Sequence, residues 1–168
     1  MYLEGGAGLW RDEKKAVMWF RNAADQGFAP AQYSLALLYY NGLSTADYEP
    51  DYEETISWLD RAVKQKYLPS MTLLGRMYVS GEGIKKDVGR GVELWRFAAE
   101  HGFHTAQVLM GMVYHRGDLG VPRDLDMAYQ WYQRAADQGD EFGKDQLRHI
   151  DIWCQKDANA RLSCPEFE

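Results

Sequence analysis

Long apolar runs are what this 168-residue chain most plainly lacks. No stretch approaches the ~20 consecutive apolar residues that cross a bilayer as a helix, which excludes membrane insertion of this segment, and no signal peptide is visible. Strand-length alternation of apolar and polar residues is missing too, so no sheet is expected. Basic charge is in deficit: 19 Lys plus Arg stand against 25 Asp plus Glu, a net charge of −6. That balance disfavours a nucleic acid or an anionic membrane as partner. Cysteine is scarce, with only Cys154 and Cys164, and two cysteines define no disulfide framework.

Catalytic constellations are also wanting. His101 and His104 lie close together, but Gly102 ends a helix between them, so they do not share a helix face as zinc ligands would. Gly81-x-Gly83-x-x-Lys86 and Gly5-Gly6-x-Gly8 resemble phosphate-cradling loops only in composition, because neither follows a strand. Carboxylates are plentiful, yet nothing marks one pair as acid and base. The expectation is no enzyme and no cofactor; the alternative is an enzyme or a metal- or haem-binding protein using His101, His104, His115 or the cysteines.

What is present is repetition. Four segments share Asp, Trp or Leu, Ala and a turn residue at fixed spacing: Asp12, Trp19, Ala23, Gly27; Asp51, Trp58, Ala62, Lys66; Asp87, Leu94, Ala98, Gly102; Asp124, Trp131, Ala135, Gly139. Between them runs a second pattern: Leu35-Ala36, Tyr39, Gly42; Leu74-Gly75, Tyr78, Gly81; Met110-Gly111, Tyr114, Gly117. Tyr2 and Gly5 extend it backwards and Leu147 forwards. A period of 36 to 39 residues signals an array of supersecondary units, each leaning on its neighbours for a core.

Both segments read as helices, A (the Leu-small-Tyr part) and B (the Asp-Trp-Ala part), since apolar residues such as Ile56, Leu59, Ala62 and Val63 recur three and four apart. The four Asp residues stand where an N-cap carboxylate accepts first-turn N–H groups. Gly27, Gly102 and Gly139 suit a left-handed helix stop, whereas Lys66 predicts a different turn. Pro30 and Pro69 suit the first position of the following helix. Small residues Ala36, Gly75 and Gly111 against Ala23, Ala62, Ala98 and Ala135 let helix backbones approach closely. Trp19, Trp58 and Trp131, in one phase, read as structural.

The segment from Ala106-Gln107 through Tyr114-x-x-Gly117, Asp124, Ala128 and Trp131-Tyr132-x-x-Ala135-Ala136-Asp137-Gln138-Gly139 resembles the Sel-1-like repeat, a relative of the tetratricopeptide repeat. The loop Tyr78-Val79-Ser80-Gly81-Glu82-Gly83-Ile84-Lys85-Lys86-Asp87 matches it equally. The likeness runs from Met1 to about Leu147 and departs at Lys66, at Thr55 and Gly91, and in the longer loop from Gly42 to Asp51. It implies an all-α, α-solenoid fold of antiparallel helix pairs, and an adaptor role. The partner it implies is another protein or peptide, with a secreted toxin or an envelope or host protein as the settings known for the family.

Divisions follow the period: 1–28 a truncated first repeat, 29–68, 69–103 and 104–140 three further repeats, and 141–168 a capping helix and tail. Arg148, His149 and Lys144 are expected to give the cap its polar face. Because Met1 falls in mid-repeat, a targeting sequence preceding it is expected to have been lost, with a periplasmic or secretory-pathway location favoured over a cytoplasmic one. Cys154 and Cys164, with nine residues between them, either form a disulfide, worth about 2–3 kcal/mol for so short a loop, or are two reduced thiols.

Where the copies disagree is where a partner is expected. Positions two before, two after and five after the repeat Leu lie on one helix face: Tyr33, Leu37, Tyr40; Thr72, Arg76, Val79; Val108, Met112, His115; then Asp145 and His149. If the stack curves as tetratricopeptide-like arrays do, the A helices line a concave wall. This row then forms a groove rich in interface-favouring residue types. The bland alternative is that Leu37, Val79, Val108 and Met112 pack against the next repeat.

Overall fold

In the computed structural model, residues 9–43 and 49–156 are described, with side chains over 17–43 and 49–152. Among these residues there are eight helices and no strand: α1 Leu9–Asp25, α2 Ala29–Tyr40, α3 Tyr52–Lys64, α4 Leu68–Ser80, α5 Val88–Glu100, α6 His104–Arg116, α7 Leu125–Asp137 and α8 Glu141–Lys156. The odd-numbered helices are the B segments and the even-numbered ones the A segments. The class is the all-α, helical-repeat (α-solenoid) type built from antiparallel pairs. The chain forms two compact units, residues 1–74 with 82–84, and residues 75–81 with 85–168. In the first, α2 packs between α1 and α3; in the second, α6 packs between α5 and α7, and α8 lies on α7.

The B helices start as their aspartates dictate. Asp51, Asp87 and Asp124 each accept the backbone N–H three residues on, from Glu54 (3.0 Å), Arg90 (3.0 Å) and Met127 (2.9 Å). This satisfies an orphan donor of the first turn. Asp12 does not cap: α1 begins at Leu9, so Asp12 lies inside the helix. Backbone N–H groups of the three capping aspartates return to the carbonyls of Tyr39, Tyr78 and Tyr114 at 2.9–3.0 Å. Each A-to-B loop is thereby closed by one bond whatever its length. The longer second loop runs between the same two anchors; Tyr48 within it lies outside the described residues, and Glu49 and Pro50 are exposed.

B-helix ends corrected one expectation. Lys66 adopts φ 58°, the left-handed conformation of Gly27 (88°), Gly102 (88°) and Gly139 (92°). Its hydrogen bonds are those of the glycine copies: Lys66 N–H to Val63 O and Tyr67 N–H to Ala62 O, against Gly102 N–H to Ala99 O and Phe103 N–H to Ala98 O. The need to satisfy the last carbonyls imposes one motif on all four copies, and Lys tolerates the strained φ. Pro30 and Pro69 occupy the second, not the first, residue of α2 and α4, still within the turn where no N–H is required.

Helix pairing rests on size matching. A Cβ on Gly75 would sit 2.7 Å from the Trp95 ring, and one on Gly111 2.6 Å from the Tyr132 ring. Glycine there admits an aromatic of the B helix against the A-helix backbone. In the remaining pair the B-helix residue is Leu59 and the A-helix residue Ala36, both fully buried. Small aliphatic partners leave room for one methyl; aromatic ones do not.

Candidate protein-binding faces

In the first unit, Tyr33, Leu37 and Tyr40 project from α2 and are half-buried. The Tyr33 ring lies 5.7 Å from that of Tyr67. Tyr40 donates its hydroxyl to Glu82 Oε2 at 2.7 Å, and Tyr52 donates to Glu82 Oε1 at 3.0 Å. The two rings meet edge to face with centroids 5.9 Å apart. Gly83, at φ 68°, makes this possible, since a Cβ there would be 2.3 Å from Tyr52. The hydrogen bond to Glu82, followed by desolvation, raises the Tyr52 pKa above its usual value. Thr72 is buried, its hydroxyl turned to Leu68 O at 3.0 Å; a β-hydroxyl in a helix finds its own i−4 carbonyl, and the structure does not present it to a partner.

The second unit carries Arg76, Val79, Val108, Met112, His115 and His149. Arg76 and His149 are exposed; the other four are half-buried. Val79 belongs partly to packing, because a Cβ on Gly91 would lie 2.6 Å from its Cγ2. Met112 packs against the core of Ala128, Tyr132, Ala136, Leu147 and Ile150. The His115 ring meets Tyr132 edge-on at 6.2 Å, and Arg123 Nε donates to the His115 carbonyl at 3.1 Å. Burial, then the positive charges of Arg123, Arg116 and His149, hold the His115 pKa below its usual value. Burial pushes the Tyr132 hydroxyl up to about 12.

Sequence reasoning missed Glu82, Tyr52, Arg116 and Arg123. The first two were concealed because their partnership with Tyr40 joins residues distant in the chain; the arginines because they sit in and after a helix end rather than on the repeated row. Asp145 is exposed and paired with Arg148. Arg148 and His149 are exposed, and Lys144, half-buried, pairs with Glu141 at 2.7 Å. Cys164 and the side chain of Cys154, and with them the expected disulfide, lie outside the described residues.

The histidines of the alternative reading go separate ways. His101 donates Nδ1 to Phe97 O at 2.8 Å and stacks on the Phe97 ring at 4.0 Å. His104 pairs with Asp140 at 3.0 Å, whose other oxygen caps α8 by accepting Gly143 N–H at 2.8 Å. Among the described residues no group of three or more His, Cys, Asp or Glu is placed to hold a metal ion. No helix there is long and apolar enough to cross a membrane.

Comparison with known proteins gives this geometry its relatives. Chitin synthase regulatory factor 3 of Schizosaccharomyces pombe is 30% identical over 86% of this chain and 16% of its own length. DAP3-binding cell death enhancer 1 of Mus musculus is 31% identical over 83% of the chain and 34% of its own length. The chain thus spans about a third or less of these curated relatives. Among solved structures, c5321, a protective antigen present in uropathogenic Escherichia coli strains, superposes with TM-score 0.70 and 39% identity over 82% of this chain and 28% of that one. The Sel1 repeat matches residues 1–28, 29–67, 68–103 and 104–140. With four such matches laid over paired helices of this geometry, the chain belongs to the Sel1 repeat family.

Proposed function

We propose that this chain is a non-enzymatic adaptor that holds a protein or peptide on the exposed face of its A helices. One observation carries the reading: in α2, α4 and α6 the repeated Leu or Met and the small residue after it are buried, whereas the row that varies from copy to copy keeps surface accessible, Thr72 apart. A row of Tyr, Leu, Arg, Met and His in place of one repeated residue gives each repeat a different contact to offer. Names of relatives support an interaction role, since one is a regulatory factor and another a binding protein. The likeness to a bacterial protective antigen supports an envelope or host-facing partner, and with it a periplasmic or secretory-pathway setting, over a toxin-neutralising role.

The test uses exposed side chains of the row and reads folding alongside capture. Affinity capture from the native cell with Arg76→Glu and His149→Glu is expected to lose the specific partner while helicity and melting temperature stay unchanged. Undiminished capture of the same partner would remove the proposal.

A further inference from the structure

Trp19 on α1 is 72% exposed, an accessibility that any helix preceding α1 would remove. The last turn of α6 owes nothing to a chain end: α5 and α7 both pack against α6, and Arg116 is exposed and His115 half-buried all the same. Gly117 stops the helix at φ 69°, where a Cβ would lie 2.6 Å from that of Arg123. Glycine thus lets the returning chain carry Arg123 across the helix end, its Nε donating to the His115 carbonyl at 3.1 Å. Among the described residues the charges acting on His115 are those of Arg123, Arg116 and His149 of α8, all positive. Of the carboxylates near them in sequence, Asp118 has one oxygen buried, Asp124 caps α7 through Met127 N–H, and Asp145 pairs with Arg148. A helix C-terminus carries about half a negative charge, which two arginines already exceed.

The repeat itself does not require this cluster. At the places of His115, Arg116 and Arg123 the third repeat has Val79, Ser80 and Lys86, and the second has Tyr40, Asn41 and Pro50. An apolar surface adjoins it. The Tyr132 ring meets His115 at 6.2 Å and Phe142 at 6.5 Å, both edge-on. The Phe142 side, 45% exposed, and the His115 imidazole therefore flank one buried aromatic. Met112, three residues before His115, is half-buried beside the same core. On the adaptor reading above, we propose that the end of α6 and the adjoining face of α8 bind an acidic segment of the partner protein. Carboxylates of that segment meet Arg116, His115 and His149, and an apolar side chain next to them rests on Phe142 and Met112. Arg123, engaged at the helix end, sets the sign of the field. A polynucleotide is the poorer match: the chain carries a net charge of −6, and a nucleic-acid strand needs cations along many phosphates.

The probe is a short peptide of repeated Leu-Glu-Glu units titrated onto the full chain, read by proton NMR of the imidazoles and by anisotropy of the labelled peptide. The His115 and His149 signals are expected to shift while those of His101 and His104 stay. The His115 pKa measured with peptide bound is expected to rise, since a neighbouring carboxylate favours the imidazolium. Arg116→Gln and His149→Gln, both at exposed sites, are each expected to weaken binding about 2- to 5-fold. Raising salt from about 20 to about 300 mM is expected to weaken it as well. Arg96→Gln, which removes an exposed cation of α5, is expected to leave binding unchanged. No binding at millimolar peptide, equal binding of a Leu-Gln-Gln peptide, a loss with Arg96→Gln as large as with Arg116→Gln, or tighter binding of oligothymidylate would each overturn the proposal. So would binding that emerges only with Asp157→Asn, Glu166→Gln and Glu168→Gln together, since the occupant would then be an acidic segment of this chain. Capture of the native partner that is lost with Arg76→Glu but kept with Arg116→Gln would leave the adaptor standing and remove the acidic segment as what it holds here.

Discussion

Gln138 donates its side-chain amide to Oε1 of Gln107 at 2.8 Å, while the Gln107 amide donates to Ala99 O at 3.2 Å. One buried side chain thus links two successive B helices through the A helix between them. Gln65, Gln32 and Ala24 O repeat the arrangement at 2.8 and 3.1 Å. In the intervening copy Met71 stands in the Gln32 place, and His101, in the Gln65 place, folds back on Phe97. The two halves of the device are absent together.

Replacing Gln107 with Leu is expected to destabilise by about 0.5–1.5 kcal/mol, because it removes two hydrogen bonds, while Ala99 O keeps the Gly102 N–H and the exposed Gln138 amide keeps Arg134 O. A double-mutant cycle with Gln138→Ala, followed by urea unfolding, is expected to show coupling of about 0.5–1.5 kcal/mol. Additive effects would mean the bridge does not act as a unit.

Size matching between Gly111 and Tyr132 makes a compensation experiment possible. Gly111→Ala puts a methyl 2.6 Å from the Tyr132 ring, in a pair too tightly packed to absorb it, and is expected to cost about 1–3 kcal/mol. Adding Tyr132→Leu recreates the Ala36 and Leu59 combination of the second repeat. The double variant is expected to be more stable than Gly111→Ala corrected for Tyr132→Leu alone, as read from thermal melts of all four proteins.

These pairings explain what was legible in the chain and what was not. Period, helix pairing and three of four caps could be read because repetition superimposes the same requirement several times, so that Asp51, Asp87 and Asp124 vouch for one another. Asp12 shared their phase but not their place, since helix extension to Leu9 depends on residues outside the motif. Trp19 shared the phase of Trp58 and Trp131, yet burial depends on a covering helix and not on phase. The acceptor of the Tyr40 hydroxyl, Glu82, lies 42 residues away, and no local spacing reports such a contact.

Lys66 at φ 58° holds a conformation that costs a residue with a Cβ about 1–2 kcal/mol. Lys66→Gly relieves that strain but adds freedom to the unfolded chain, so a net gain of about 0.5–1 kcal/mol is expected. The gain is expected to appear as a higher denaturant midpoint with unchanged slope. Lys66→Ala keeps the Cβ and is expected to show no such gain.

Ser70 is fully buried where the other A helices carry Ala31 and Ala106, and its hydroxyl has no hydrogen-bond partner among the described residues. Because an unpartnered buried hydroxyl loses its hydration without recompense, Ser70→Ala is expected to stabilise by about 1 kcal/mol in chemical denaturation. A loss of stability would show that the hydroxyl is satisfied in solution.

His115 ties stability to pH. Burial first, and then Arg123, Arg116 and His149, lower its pKa in the folded chain below the ordinary 6.5, so the unfolded chain binds the proton more readily. Where the unfolded state holds more protons, stability rises with pH. The His115 contribution is therefore fully present above pH about 6.5 and is lost as pH falls through the lower folded value. His115→Gln cannot titrate and is expected to flatten the stability profile of the chain between about pH 5 and 7 relative to the natural sequence. Parallel urea titrations at several pH values make the comparison. Identical slopes for the two proteins would show that other groups carry the acid sensitivity.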